Sequence, residues 1–236
     1  MSVGEVASQQ IAPREGGLVR AFGDAMIVTR RNMLRYPRIP QLIVFSTIQP
    51  VMFVLLFTFV FGGAIEGTGT QNYVDFLLPG IFMQNALFGS TQTGIAIAVD
   101  LQSGIIDRFR SLPMARSAVL AGRTFADALR VAFVILLMLL VGVLVGFRFH
   151  AGPLAAIAAI SLAILVAYAV SWISTIVGLK VREPESVQAA GFVWVFPLVF
   201  ASSAFVPTQT MPGWLQAFAE VSPVTRFVDA IRVLVL

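Results

Sequence analysis

The feature that most constrains this chain is a series of long windows without charged residues. The windows are residues 39–65, 76–99, 131–147, 151–179 and 186–219. A helix needs about 20 mostly apolar residues to cross the hydrocarbon core of a bilayer, because each residue rises about 1.5 Å. Only 12% of the 236 residues are charged and 58% are hydrophobic, which is too little charge to cover a soluble domain. The sequence predicts an all-α polytopic membrane protein.

Five membrane spans follow from these windows. They are predicted at residues 42–61, 76–99, 128–147, 154–179 and 187–206. Residues 1–38 form an N-terminal region outside the membrane, and the membrane domain covers residues 39–236. After the fifth span, the segment 207–236 is predicted to be an outer re-entrant piece, with a short interfacial helix at 214–218 that places a tryptophan at the headgroup level.

The distribution of positive charge orients these spans. Of the 16 Lys and Arg residues, 13 precede the first span or lie between spans two and three or spans four and five. An excess of Lys and Arg is typical of the cytoplasmic loops of membrane proteins. The N-terminus is therefore predicted to be cytoplasmic, and the chain after the fifth span is predicted to emerge on the opposite side.

The segment Leu18–Arg35 has the periodicity of an amphipathic helix, with apolar residues on one face and arginines nearly opposite. Just before a span, this pattern predicts a helix that lies in the cytoplasmic leaflet. A plain basic anchor beside the membrane would show the same pattern. The residues assigned to the interfacial helix are Phe22, Arg30, Arg31 and Arg35.

The loop between spans two and three is much longer than the loop between spans three and four. A connector needs only a few residues. In this loop Gly104 precedes a short run, 105–111, in which aliphatic and charged side chains alternate before Leu112 and Pro113. The run either docks in a groove of a soluble partner or is a solvated loop that fixes topology, and composition favours neither.

Uncharged polar residues recur at helical spacing on the second and fourth spans. Such residues face other helices in a bundle, where they form hydrogen bonds or line a path. We treat them as a candidate substrate path, with helix packing as the competing explanation. They are Gln84, Asn85, Thr91, Tyr168, Ser171 and Thr175.

Several kinds of chemistry are excluded by what the sequence lacks. There is no cysteine and only one histidine, His150, so a thiolate or multi-histidine metal site cannot form. The one lysine, Lys180, is not part of a phosphate-binding GxxxxGK[ST] loop. No charge lies in the middle of a predicted span, which argues against an ion-coupled carrier. An energy source must therefore come from another protein.

Three stretches resemble the ABC-2 type permeases, and within them the daunorubicin/doxorubicin-resistance branch of actinobacterial drug and lipid exporters. They are DLQSGIIDRFRSLPMARSAVLAGR, GLKVREPESVQAAGF and FPLVFASSAFVPTQTMPGWLQAFAEVSPVTRFVDAIR. Permeases of this family are similar in having six spans with both termini inside. By that resemblance a sixth span is expected, and it is absent after Leu236.

The resemblance implies a non-enzymatic membrane subunit of an ATP-binding-cassette exporter in the bacterial cytoplasmic membrane, in contact with membrane lipids and not with nucleic acid. Two permease chains, as a homodimer or with a sister chain, would pair with two ATPase subunits. ATP and Mg would be bound by the ATPase, and no cofactor by this chain. By the same resemblance, Leu18–Arg35 is the interfacial helix and 104–113 is the coupling helix. The coupling residues would be Gly104, Ile106, Asp107, Arg108, Phe109, Arg110, Leu112 and Pro113.

The function expected from these features is outward movement of an amphipathic drug or lipid, driven by ATP hydrolysis in the partner. An exporter of polysaccharide or lipid-linked glycan is an alternative within the same class, although the spans show no strong aromatic stripe. A channel, an ion-coupled carrier and a non-transporting membrane scaffold are the alternatives from other classes.

Overall fold

A computed structural model of the protein describes residues 18–35, 40–61, 73–111 and 115–235. In these ranges the chain is helical and contains no strand. In chain order, the helices are α1 (Leu18–Arg35), α2 (Pro40–Leu56, continued by a π-helical turn at Phe57–Phe61), α3 (Tyr73–Gln102), α4 (Ile105–Arg110), α5 (Arg116–Val145), α6 (Pro153–Val181), α7 (Pro184–Phe200), α8 (Gly213–Val221) and α9 (Pro223–Val235). The predicted all-α fold is confirmed.

Helix α3 lies at the centre of the bundle and packs against α2, α4, α5, α6, α7 and α9. Its buried residues occur all round the helix, as expected for a core helix. Helices α1 and α4 lie at one end of the bundle, which we call the α4 end. Helices α8 and α9 lie at the other, which we call the α9 end.

Helix α3 approaches α6 very closely because both helices carry glycine at the contact. A Cβ atom on Gly94 would collide with the backbone carbonyl of Ser174, and a Cβ on Gly178 would collide with the backbone of Gly94. Small residues at such contacts allow membrane helices to gain van der Waals packing without a hydrophobic driving force. One turn from Gly94 on α3, Gly191 of α7 leaves room for the side chain of Thr91.

Local sequence explains the turn between α5 and α6. Helix α5 ends where Gly146 adopts a left-handed conformation (φ 115°) and Phe147 N–H donates to the Gly142 carbonyl at 2.9 Å, a glycine-terminated C-cap. Helix α6 then starts at Pro153, whose fixed φ suits the first helical position. The two helices therefore run antiparallel through a short connection.

Helix α1 packs lengthwise on the first half of α5. Gly122 of α5 permits the contact, since a Cβ there would lie 2.5 Å from the Ala25 carbonyl oxygen. Thr29 Oγ1 donates to the Gly122 carbonyl at 3.0 Å, and the Ala115 N–H donates to Asp24 Oδ2 at 3.1 Å. The bounds of α1 agree with those of the predicted helix, Leu18–Arg35. The helix is amphipathic, and it is also packed against the bundle.

The outer faces of the bundle are apolar, as a protein surrounded by lipid requires. Leu144, Leu154 and Val193 expose 78%, 81% and 76% of their surface. By length and composition, two helices within the described ranges can cross a membrane, Ser117–Val145 and Pro153–Val181. The apolar stretch of α2, Ser46–Val60, is shorter. The number of spans, five, stays a prediction.

Two helix bounds differ from the predicted spans. Helix α5 begins at Arg116, well before position 128, because its first turns pack on α1 instead of lying in a loop. Helix α7 ends at Phe200, before position 206, because the chain leaves the helix axis in a turn that docks against Gly80 of α3.

We expect Gly94→Ala to destabilise the fold, whereas Gly23→Ala should not. The added methyl at Gly94 would meet the backbone of α6, and overpacking of this kind costs about 1–3 kcal/mol or more. At Gly23 of α1 the same methyl meets nothing within 4 Å. Melting temperatures of the two purified variants in one detergent test this expectation, and equal values would contradict the described α3–α6 contact.

Candidate functional site

A cleft of about 680 Å³ runs between α2, α3 and α7 and is closed at one side by the first half of α5. Its volume is within the range of drug-sized ligand sites, about 300–1,000 Å³. The residues of its wall change character along its length. Polar and charged wall residues toward the α4 end include Asn32, Gln49, Arg123, Asp127, Arg130 and Gln188. Apolar wall residues toward the α9 end include Phe53, Ile81, Phe192, Phe196 and Phe200.

Stacked phenylalanine rings close the cleft at the α9 end. Phe57 and Phe205 lie behind the wall and join its rings into one series. Ring-centroid distances are 5.6 Å for Phe53–Phe57, 4.9 Å for Phe57–Phe205, 5.3 Å for Phe205–Phe200 and 4.4 Å for Phe200–Phe196. Each pair is close to parallel and within the range of favourable ring contacts. The aromatic series thus links α2 to α7 through the turn that follows α7.

Arg232 of α9 holds that turn in place. Its guanidinium donates to the Ser203 carbonyl at 2.6 Å and twice to the Phe76 carbonyl at 3.1 Å. It also pairs with Asp229 at 3.0 Å and lies 3.6 Å from the centroid of the Phe76 ring. Burial lowers the pKa of Arg232 to about 10, against the attraction of Asp229. The guanidinium therefore stays charged at neutral pH and ties α9, α3 and the turn together.

A network of four charged side chains lies at the α4 end of the cleft. Arg123 pairs with Asp100 at 3.6 Å and with Asp127 at 3.4 Å, and Arg130 pairs with Asp127 at 3.6 Å. Arg130 Nη2 also donates to the Gly89 carbonyl at 2.9 Å. Each of the four side chains is between 5% and 12% exposed. This is a buried ion network that connects α5 to α3.

This network was not predicted from the sequence. Arg123 and Arg130 were counted among the cytoplasmic cations and served only to orient the spans. The residues lie at spacings of four and three, Arg123, Asp127 and Arg130, which places them on one face of a helix. That spacing was the signal available in the sequence. Their partner on α3, Asp100, depends on tertiary contact and has no local signal.

The predicted path residues separate into two groups. Gln84, Asn85 and Thr91 of α3 lie in the wall of the cleft. Ser171 and Thr175 of α6 are buried on the face that packs against α3, together with Ser174 and Gly178. Tyr168, one turn away from Ser171, makes an edge contact with Trp172 at 6.2 Å. The structure therefore does not bring the α6 residues to the cleft.

The predicted coupling run forms the short helix α4. Gly104 adopts the left-handed conformation (φ 69°) that separates α4 from α3. Asp107 and Arg108 are exposed, while Ile106 is buried at 8% exposure. At Ile106 the structure differs from the expectation that this side chain faces a partner, because it packs against its own chain. Leu112, Pro113 and the side chain of Arg110 lie outside the described residues.

Helix α4 is joined to α1 by a cation–π contact. The guanidinium of Arg31 lies 4.6 Å from the centroid of the Phe109 ring, a separation at which the ring quadrupole attracts the charge. Of the other predicted interfacial residues, Phe22 is 69% exposed and Arg30 is exposed, and the side chain of Arg35 is outside the described part. This contact joins α4 to α1, which in turn packs on α5.

Comparison with known proteins decides the family. Residues 24–236 match the family model described as ABC-2 type transporter. The chain belongs to the ABC-2 type transporter family. The chain is therefore a permease subunit and a multi-pass membrane protein. The resemblance found in the sequence is confirmed.

Three permeases illustrate the similarity. This permease is 35% identical over 202 residues to the daunorubicin resistance ABC transporter permease protein DrrB1 of Streptomyces coeruleorubidus, covering 86% of this chain and 71% of the relative. It is 27% identical over 221 residues to the probable doxorubicin resistance ABC transporter permease protein DrrC of Mycobacterium tuberculosis, covering 93% and 80%. A putative transport permease, ycf38 of Cyanophora paradoxa, is 24% identical over 214 residues, covering 89% and 73%.

We expect Arg232→Gln to destabilise the permease more than Arg226→Gln. Loss of the guanidinium removes its hydrogen bonds to the carbonyls of Phe76 and Ser203, and hydrogen bonds to charged groups contribute about 1.5–3 kcal/mol each. Arg226 lies on the same helix but is exposed. Thermal unfolding measures the melting temperatures of both variants. Equal melting temperatures would show that the hydrogen bonds of Arg232 are dispensable for stability.

Proposed function

We propose that this permease exports an amphipathic drug or lipid across the bacterial cytoplasmic membrane, using ATP hydrolysed by a separate ATPase subunit. The observation that carries the proposal is the amphipathic cleft, charged at the α4 end and aromatic at the α9 end. A molecule with a polar head and an apolar body matches both ends at once. The names of the relatives, which concern resistance to daunorubicin and doxorubicin, support a drug-sized substrate.

The position of α4 supports coupling to a cytoplasmic partner. Its exposed Asp107 and Arg108 offer charged contacts, while Ile106 and Phe109 fix it to the bundle. A force applied to α4 passes through Arg31 to α1, and from α1 through the Gly122 contact to α5. Helix α5 carries the charged wall of the cleft, so that the ATPase would act on the end where the polar head is bound.

The orientation and partners follow from this arrangement. Thirteen of the 16 Lys and Arg residues precede the first predicted span or lie in the two loops assigned to the cytoplasmic side, which supports a cytoplasmic N-terminus. The ATPase would hold ATP and Mg. The permease would work with a second permease chain, either a copy or a sister chain, and in direct contact with membrane lipids.

The proposal predicts that the double variant Asp107→Ala/Arg108→Ala loses ATP-dependent export while it still inserts and folds. Both side chains are exposed, so their removal costs the fold little. The matched control is Glu220→Ala/Arg226→Ala, which also removes one acidic and one basic exposed side chain, but at the α9 end. Proteoliposomes that contain the permease and an ATPase subunit identified by co-purification with it report export of fluorescent amphiphiles.

We expect the export rate of the α4 variant to fall to the rate measured without ATP. The export rate of the control variant should stay near that of the unsubstituted permease. Co-purification of the ATPase with each variant shows whether export is lost because the ATPase no longer binds. Full export by the α4 variant would refute the coupling role. Export without an ATPase partner would refute the proposed energy source.

A further inference from the structure

We propose that the exposed face of α1 binds an anionic phospholipid of the cytoplasmic leaflet, whose phosphate is held by Arg30. The inference rests on the proposed cytoplasmic position of the α4 end, and it adds a class of lipid to the general contact with the membrane. Arg30 lies in apolar surroundings, pairs with no described carboxylate, and is at the level of the lipid head groups.

Helix α1 has an apolar face that no described part of the chain covers. Its opposite side packs on α5, where Val28, Thr29 and Asn32 are almost fully buried. The exposed face carries four large apolar side chains that are between 42% and 69% exposed, namely Phe22, Met26, Ile27 and Leu34. A cluster of this kind indicates a surface that contacts lipid or another protein.

Arg30 lies in the middle of this apolar face. Residues three and four positions apart are neighbours on the surface of a helix, so the side chain of Arg30 emerges among Met26, Ile27 and Leu34. An amphipathic helix at a membrane surface carries its charges mainly on the polar face. A guanidinium in the centre of the apolar face therefore indicates a polar partner that itself lies among lipids.

The charge of Arg30 is not neutralised within the described part of the chain. In those ranges Arg30 forms neither an ion pair nor a hydrogen bond. The neighbouring Arg31 is directed to the Phe109 ring of α4. Asp24 is the one acidic residue of α1, and its Oδ2 accepts a hydrogen bond from the Ala115 N–H at 3.1 Å. A negative group from outside the chain would therefore complete the pair.

The position of Arg30 along the bundle corresponds to the lipid head groups. Its neighbour Thr29 donates to the Gly122 carbonyl at 3.0 Å, and the third span is predicted to begin at position 128. The helix between positions 122 and 128 rises about 9 Å, and the head-group layer on each side of the hydrocarbon core is about 5–8 Å thick. A long side chain at the level of Gly122 therefore reaches the phosphates of the cytoplasmic leaflet.

An anionic phospholipid satisfies both parts of this surface. Its phosphate accepts paired hydrogen bonds from a guanidinium, and its acyl chains cover the apolar neighbours. Its net negative charge neutralises Arg30, whereas the choline of phosphatidylcholine would bring a second positive charge to the same place. A water-soluble acidic segment would also neutralise Arg30, but it offers little to cover Ile27 and Leu34.

Because the chain contains no cysteine, one introduced cysteine can carry a fluorophore that reports on this face. The test uses the full chain with Ile27→Cys labelled with bimane, in phosphatidylcholine nanodiscs that contain a minor fraction of phosphatidylglycerol. Bromine, which quenches the label, is placed on the acyl chains of the phosphatidylglycerol or of an equal fraction of the phosphatidylcholine. The matched control carries the label on Leu136→Cys, which is also exposed but lies in the charge-free part of α5.

We expect brominated phosphatidylglycerol to quench the label at position 27 with an apparent affinity about fivefold higher than brominated phosphatidylcholine, since one basic residue near the membrane surface contributes about this much. Arg30→Gln should abolish the preference, whereas Arg226→Gln at the α9 end should not. Arg30→Lys, which keeps the charge and loses the bidentate geometry, should retain part of it. The label on Leu136→Cys should be quenched equally by both lipids. Ile27 and Arg30 are exposed, so these changes cost the fold little.

Four results would overturn the proposal. Two are equal quenching by both lipids at position 27 and a preference that survives Arg30→Gln. A third is no quenching there by either lipid, which would assign the face to a soluble partner. The fourth is a preference removed by inorganic phosphate but not by chloride at the same ionic strength, which would indicate a site for free anions. Since no ATPase takes part, a failure here is distinct from a failure of export in proteoliposomes.

Discussion

The contact between Gly94 and Gly178 determines how the rest of this permease is arranged. It allows α3 to lie directly against the backbone of α6, while Gly191 brings α7 against α3 at Thr91, one turn from Gly94. With α3 enclosed in this way, only its face toward α2 and the first half of α5 borders open space. The cleft borders that face, which carries the amides of Gln84, Asn85 and Gln92 beside the ring of Phe88.

The two ends of the cleft are built from different interactions, and this difference gives the site its direction. Stacked rings at the α9 end are held by one guanidinium, which binds carbonyls of two segments far apart in sequence. Ion pairs at the α4 end connect α5 to the last turns of α3, next to α4. The charged end of the cleft is therefore close to α4, which is proposed to receive force from the ATPase. The apolar end is close to the turn after α7, whose Phe205 belongs to the stacked rings that close the cleft.

Much of the fold was predictable because lipid imposes long apolar helices, and charge-free windows reveal them. Helix α1 was predicted with its observed bounds from periodicity, and α4 from a glycine followed by a short alternating run. The ion network was not predictable in the same way. A charge count treats Arg123 and Arg130 as loop residues. Their spacing with Asp127 was a local signal of a helix, but the partner on α3, Asp100, is brought to them only by tertiary packing. The aromatic series likewise joins Phe53, Phe57 and Phe205, which are brought together only by the turn after α7.

Helix α2 is the least regular wall of the cleft. Pro50 lies in its middle and removes one backbone hydrogen bond, and its last turn widens into a π-helix at Phe57–Phe61. The α3 wall is fixed by backbone contact with α6, and the end of α7 is fixed by the guanidinium of α9. At the α9 end α2 is held by side chains alone, through the stacked rings of Phe53, Phe57 and Phe205. A substitution that shortens one of these three rings is therefore expected to alter the width of the cleft more than one on the backbone-packed walls.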